Sequence, residues 1–266
     1  MKLSLLFIFV TTFMSCTSRE RQSEDGVGRL PDWAFGGFER PENVNPVISP
    51  IDNTWFYCPL TEDSVAWESN DTFNPAATIY DEKIVVLYRA EDKSGIGIGR
   101  RTSRLGYATS VDGVTFQRRS TPVFYPDNDL QKSLEWPGGC EDPRIAVTVD
   151  GLYVMMYTQW NRDIPRLAVA TSKDLVHWTK YGPAFAKAYD GKFYNMACKS
   201  GSILTELIDG RQVIKKVGGK YFMYWGEEHV FAATSEDLVN WTPIVNIDGS
   251  LKRLFSPRDG YFDSQL

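Results

Sequence analysis

The chain has 266 residues, 42% of them hydrophobic and 14% aromatic, enough apolar material for one large core. Its 29 Lys and Arg against 34 Asp and Glu give a formal net charge of −5 without a long basic run, which argues against nucleic acid as the main partner. Gly (21) and Pro (14) usage is ordinary, which sets aside collagen-like and Pro/Gly-rich disordered chains, and two histidines, His177 and His229, argue against a His-rich metal site.

The first fifteen residues read as a leader. Lys2 precedes an apolar stretch over residues 3–14, too short for a bilayer that needs about 20 residues. Ser15-Cys16 resembles the lipobox of a bacterial lipoprotein, with Phe13 where such boxes usually carry Leu. The resemblance implies cleavage after residue 15, lipidation of Cys16 and export. Attachment to a bacterial membrane, on its periplasmic side or at the cell surface, is then through the lipid alone. An ordinary signal peptide with an incidental cysteine is the other reading. Residues 16–35 read as a polar tether and 36–266 as the folded domain.

Strands dominate that domain. Residues 43–60 hold a closing strand or part of a repeat unit. Residues 76–80 and 84–88 then predict a hairpin turning at Asp81-Glu82-Lys83. Residues 144–149 and 152–157 predict a second, turning at Asp150-Gly151, and residues 214–217 and 220–225 a third, turning at Gly218-Gly219. Each hairpin is followed by one copy of T-S-x-D-[GL]-V-x-[FW], starting at Thr109, Thr171 and Thr234, 62 and 63 residues apart. The Asp accepts turn N–H groups, and the closing Phe116, Trp178 or Trp241 plugs the space between sheets. A period near 60 residues with several short strands predicts one β-propeller blade per repeat, four to five in all, with a unit beginning near Phe255 and not finishing before Leu266. Cys58, Cys140 and Cys198 form no C-x-x-C pair and are expected as small buried hydrophobes.

In such a fold the segments entering each hairpin converge on the axis. These are Ser69-Asn70-Asp71-Thr72-Phe73-Asn74-Pro75, Gly138-Gly139-Cys140-Glu141-Asp142-Pro143-Arg144 and the run from Phe255 to Ser264. Polar clusters also end the first and third hairpins, Arg89-Ala90-Glu91-Asp92 and Gly226-Glu227-Glu228-His229. Each alone is ordinary turn chemistry; their shared register around one axis points to a site. Trp67, Trp136, Trp160 and Tyr194 are candidates to stack on sugar faces, whereas Trp178 and Trp241 belong to the repeat. No metal, nucleotide or flavin motif appears, because Gly95-Ile96-Gly97-Ile98-Gly99 lacks a following helix, so no cofactor is expected.

Residues 67–76 (WESNDTFNPA), 87–92 (LYRAED), 138–145 (GGCEDPRI), the two T-S-x-D-L-V-x-W copies and Phe262-Asp263-Ser264 together resemble glycoside hydrolase family 130. That resemblance implies a five-bladed propeller, with its last blade missing here, acting on β-mannosides, either by phosphorolysis or, in a smaller exported branch, by hydrolysis of β-1,2 linkages. Asp142 matches the proton donor, which acts by relay through the mannose 3-hydroxyl in an inverting single displacement. Asn74, Arg89 and Asp263 match residues that hold the mannose. An acid on one sugar face and an activated nucleophile on the other is what inversion requires.

Hydrolysis needs a carboxylate base, and the resemblance to the hydrolase branch assigns that role to Glu227. A second glutamate of that branch falls beyond Leu266. Phosphorolysis needs a cationic pocket, for which Arg162, Arg166 and Lys199 are the candidates, as ligands of phosphate or sugar; ion pairs or solvated surface are their ordinary reading. An export signal favours hydrolysis, since phosphorolysis conserves bond energy only where a sugar phosphate stays in the cell. A non-catalytic glycan-binding propeller, and a propeller glycosidase acting on arabinosides or fructans, remain open.

Overall fold

Residues 41–256 are described in a computed structural model of the chain. Cys16, the leader, the tether and Asp263 lie outside the described residues. A short hairpin of β1 (Phe56–Cys58) and β2 (Asp63–Val65) leads into three antiparallel meanders. The first is β3 (Asp71–Tyr80), β4 (Lys83–Glu91), β5 (Ser103–Ser110) and β6 (Gln117–Arg118). A four-residue helix α1 (Lys132–Glu135) precedes the second, which is β7 (Gly139–Val147), β8 (Tyr153–Trp160), β9 (Pro165–Ser172) and β10 (Trp178–Pro183). The expectation of an all-β chain holds over these residues.

Local chemistry sets the turns. Asp81 and Glu82 both take positive φ (49° and 58°) between Tyr80 and Lys83, the two-residue geometry that matches strand twist, and Gly218 and Gly219 (58° and 84°) do the same in the third hairpin. The repeated T-S-x-D motif is a self-contained loop. Ser172 Oγ accepts the N–H groups of Asp174 and Leu175, while Asp174 Oδ1 accepts those of Val176 and His177. Ser235 and Asp237 repeat the pattern, as do Ser110 and Asp112. The [GL] position is the one left-handed residue of the loop: Gly113 (74°), Leu175 (61°) and Leu238 (67°). Both leucines bury their side chains, and each carbonyl receives the indole N–H of the closing tryptophan, Trp178 or Trp241. That burial offsets a backbone cost of about 1–2 kcal/mol.

The third unit departs from the expected hairpin. Its first strand is β11 (Ser202–Ile203), and an inserted hairpin of β12 (Thr205–Ile208) and β13 (Arg211–Ile214) intervenes before β14 (Lys216–Val217), β15 (Lys220–Trp225), β16 (Phe231–Ser235) and β17 (Trp241–Pro243). Ile214 therefore pairs with Thr205 and not with β15, because Asp209-Gly210 makes a tight turn of its own (φ 49° and 74°). Val213 of the insertion meets Val147 of β7 in parallel.

Sheets stack through period-2 alternation. Along β8, Met155 and Tyr157 enter a core shared with Val85, Leu87 and Leu105 of the first meander, while Val154 and Met156 enter another with Met223, Trp225 and Trp241 of the third. β9 splits likewise, Ala168 and Ala170 to one side and Leu167 and Val169 to the other. A third core under the first meander holds Phe56, Cys58, Trp67 and Tyr88. Cys58, Cys140 and Cys198 are buried free thiols, as expected.

Candidate active site

Two bulges aim the principal side chains. The β3–β4 register runs from Phe73 opposite Arg89 directly to Ala76 opposite Leu87, leaving Asn74-Pro75 out of the ladder. The β7–β8 register likewise leaves out Asp142-Pro143, between Glu141 opposite Thr158 and Arg144 opposite Met156. Proline has no N–H for a ladder, so a bulge is where a strand tolerates it. Asn74 and Asp142 carry φ of 43° and 50°, although a residue before proline ordinarily stays extended. Asn and Asp bear that conformation best, and strain of about 1–3 kcal/mol at each is the kind stored at functional sites.

The bulges bring their side chains together. Asn74 Nδ2 donates to Asp142 Oδ1 at 2.8 Å, and Arg89 Nη1 donates to the same oxygen at 2.9 Å. Arg89 is 5% exposed and fully engaged: Nη2 meets Glu91 Oε1 and Glu141 Oε1, each at 2.7 Å, Nε meets Ser103 Oγ at 3.0 Å, and its face lies 4.5 Å from the Phe73 ring centre. Burial opposes its charge, but Glu141, Asp142 and Glu91 outweigh burial and hold the guanidinium more firmly protonated than usual. A cleft of about 400 Å3 opens over Phe73, Asn74, Arg89, Asp142 and Lys199.

A third position repeats the geometry. Ser200, just ahead of β11, has φ 58° and lines a pocket of about 90 Å3 with Asn74, Asp142 and Arg144. Sequence reasoning missed Ser200, because Lys199-Ser200-Gly201 lacks the proline that marks the other two. Its position, 58 residues after Asp142, was the available signal.

Glu227 lies at the end of the third hairpin, 37% exposed at the side chain and 3.0 Å from Lys199 Nζ. Gly226 makes that seat: at φ 129° its N–H reaches Lys199 O, and a Cβ there would lie 2.0 Å from His229 O. Lys199 thus stands between the cleft and Glu227. Arg166 is 5% exposed, bonded to Asn195 Oδ1 at 2.7 Å and 6.0 Å from the ring centre of Tyr194, itself 39% exposed. Arg162 sits in a left-handed loop position (φ 66°). Trp136 packs against the core beneath the first meander, outside both pockets. One aromatic candidate is corrected. Trp67 is wholly buried, donating to Ser120 O at 3.0 Å, so its faces meet core and not ligand. Trp160 is half-buried, donates to Gly99 O at 2.9 Å and packs against Gly138, outside both pockets.

A family profile described as beta-1,4-mannooligosaccharide phosphorylase, that of glycoside hydrolase family 130, matches residues 38–266. The chain belongs to family 130. A crystal structure of a glycosyl hydrolase from Bacteroides ovatus is 83% identical with a TM-score of 0.86, covering 89% of this chain and 66% of its own. Another family 130 structure, 80% identical with TM-score 0.86 and the same coverage, was described with the statement that this family of mannoside phosphorylases contains glycoside hydrolases that target beta-1,2 mannosidic linkages in Candida mannan. The 1,2-beta-oligomannan phosphorylase of Thermoanaerobacter sp. (strain X514) is 37% identical over 184 residues, 66% of this chain and 53% of its own. The chain therefore spans about half the length of that curated family 130 relative and about two thirds of the solved ones.

Proposed function

We propose that the protein is an exported β-mannosidase that hydrolyses β-1,2-linked manno-oligosaccharides, with its three meanders forming blades of a five-bladed propeller. The observation that carries this reading is the convergence of Asn74 of β3, Arg89 of β4 and Asp142 of β7 on one cleft, with the Asp142 carboxylate in its lining. Structures 83% and 80% identical support the hydrolase branch. Glu227, half-exposed and 3.0 Å from the cleft-lining Lys199, supports a base at the cleft margin.

In this reading Asn74 and Arg89 fix the mannose and hold Asp142. Asp142 gives its proton to the sugar 3-hydroxyl, whose own proton passes to the glycosidic oxygen as the C1–O bond breaks. Water attacks C1 from the opposite face and loses its proton to Glu227, so the product is inverted. Asp263 and Tyr194 extend the sugar contacts, and Arg166 and Lys199 supply cationic contacts to sugar hydroxyls. Cys16 carries the lipid that anchors the protein outside the cytoplasm.

The test is incubation with β-1,2-mannobiose with and without inorganic phosphate. Free mannose at equal rates in both is the expected result; mannose 1-phosphate formed only with phosphate overturns hydrolysis in favour of phosphorolysis, and no release in either favours a glycan-binding role.

A further inference from the structure

The cleft wall holds more acid than base. Asp71, Glu91, Glu141 and Asp142 face the two guanidiniums of Arg89 and Arg101, while Lys199 is engaged by Glu227. Glu141 is the least accommodated of the four. It is 6% exposed, and its Oε1 and that of Glu91 both rest on the same Arg89 Nη2 at 2.7 Å. Both oxygens also approach Ser103 Oγ, at 3.3 and 3.2 Å, yet that hydroxyl has one proton and donates to one of them at a time. The groups facing Glu141 are Arg89 and Glu91 on β4, Ser103 on β5, Asp142 on its own β7 and Lys199 ahead of β11. Burial, with Asp142 and Glu91 beside it, outweighs Arg89 and Lys199 and pushes the Glu141 carboxyl up to about 7.

Resting on the glycosidase reading above, we propose that Glu141 is a positioning residue that carries a proton near neutral pH and, on releasing it to solvent, draws Arg89 away from Asp142. The protonated carboxyl leaves Nη2 to Glu91 and keeps the fork aligned, with Nη1 on Asp142 Oδ1. Ionised, it puts two full anions on Nη2, and the Nη1 contact lengthens. Glu141 touches no substrate; it acts through Arg89.

Two readouts test this independently. Difference infrared spectra of the wild-type protein across pH 5 to 9 should show a protonated-carboxyl band that disappears on titration near neutrality and is absent from Glu141→Gln. Glu91→Gln removes the second anion and should shift that band's midpoint to lower pH. In parallel, the alkaline limb of kcat/KM on β-1,2-mannobiose should move upward in Glu141→Gln, so that activity relative to each protein's own plateau is at least threefold higher than wild type at pH 8. A missing wild-type band, a midpoint indifferent to Glu91→Gln, or a limb that stays in place or moves downward overturns the proposal. Absence of turnover at every pH would count against the mannosidase reading, and the infrared titration would still decide whether Glu141 holds the proton.

Discussion

Asp142 is held from two sides through a single oxygen, and that arrangement separates binding from proton donation. Asp142→Asn preserves the shape and the contacts of Asn74 and Arg89 around it but has no acidic proton to relay. Turnover should fall at least a thousandfold while calorimetry still detects sugar binding; unchanged turnover would remove Asp142 from the acid role. Asp237, in the third repeat loop, shows the same economy in a structural setting. Burial is the largest single influence and opposes its charge, yet the amide and backbone N–H of Asn240, the N–H of Val239 and the Ser235 hydroxyl together prevail and lower its carboxyl from 3.8 to about 2. A carboxyl lowered in the folded state contributes stability above its unfolded value, and the contribution is lost as pH falls from about 4 toward 2. Asp237→Ala should therefore cost about 1–2 kcal/mol in urea unfolding at pH 7, with the difference shrinking at pH 3. Glu141 runs the other way. Its carboxyl is raised in the fold, so it weakens stability as pH climbs from 4.5 through about 7. The melting temperature of Glu141→Gln should gain on wild type between pH 5 and pH 8.

At the scale of elements, the decisive junction is where β5 meets β7. The strands touch in parallel at Ser103 and Gly139, with Ser103 N–H bonded to Gly138 O at 2.8 Å. Gly139 has φ 119°, and a Cβ would stand 2.2 Å from Ser103 O, so no side chain fits without parting the strands. Gly139→Ala should lose about 2–4 kcal/mol and most of the activity, since Glu141 follows two residues later. Gly151→Ala is the contrast, because its φ of 86° lies in open space, and about 1–2 kcal/mol with activity retained is expected. The bulges show how much of the site is legible in sequence. Asn74-Pro75 and Asp142-Pro143 are readable because proline cannot sit inside a ladder, whereas Ser200 reaches the same conformation with no such mark. The inserted hairpin Thr205–Ile214 hides for a related reason: its strands are short and their alternation runs on into β14 and β15, so Ile214 reads as the start of the next strand. Trp67 misleads because an indole's composition signal is the same whether it faces a ligand or a core.

Over the whole molecule, the repeat period makes the stacking of meanders legible, because each copy of T-S-x-D-[GL]-V-x-[FW] closes one unit and hands its aromatic to an interface. What spacing cannot convey is charge balance across units. Arg89 of the first meander pairs with Glu91 on its own strand and also bonds Glu141 and Asp142 of the second, so the polar network of the cleft crosses from one meander to the next. A shared pocket of this kind makes residues far apart in sequence act on one ligand. Calorimetric titration of β-1,2-mannobiose into the wild-type protein and into Asn74→Ala addresses that directly. Saturable binding in the wild type, weakened at least tenfold (about 1.4 kcal/mol) by Asn74→Ala, is the expected result; equal affinity in the two proteins would contradict a common mannose pocket between the first and second meanders.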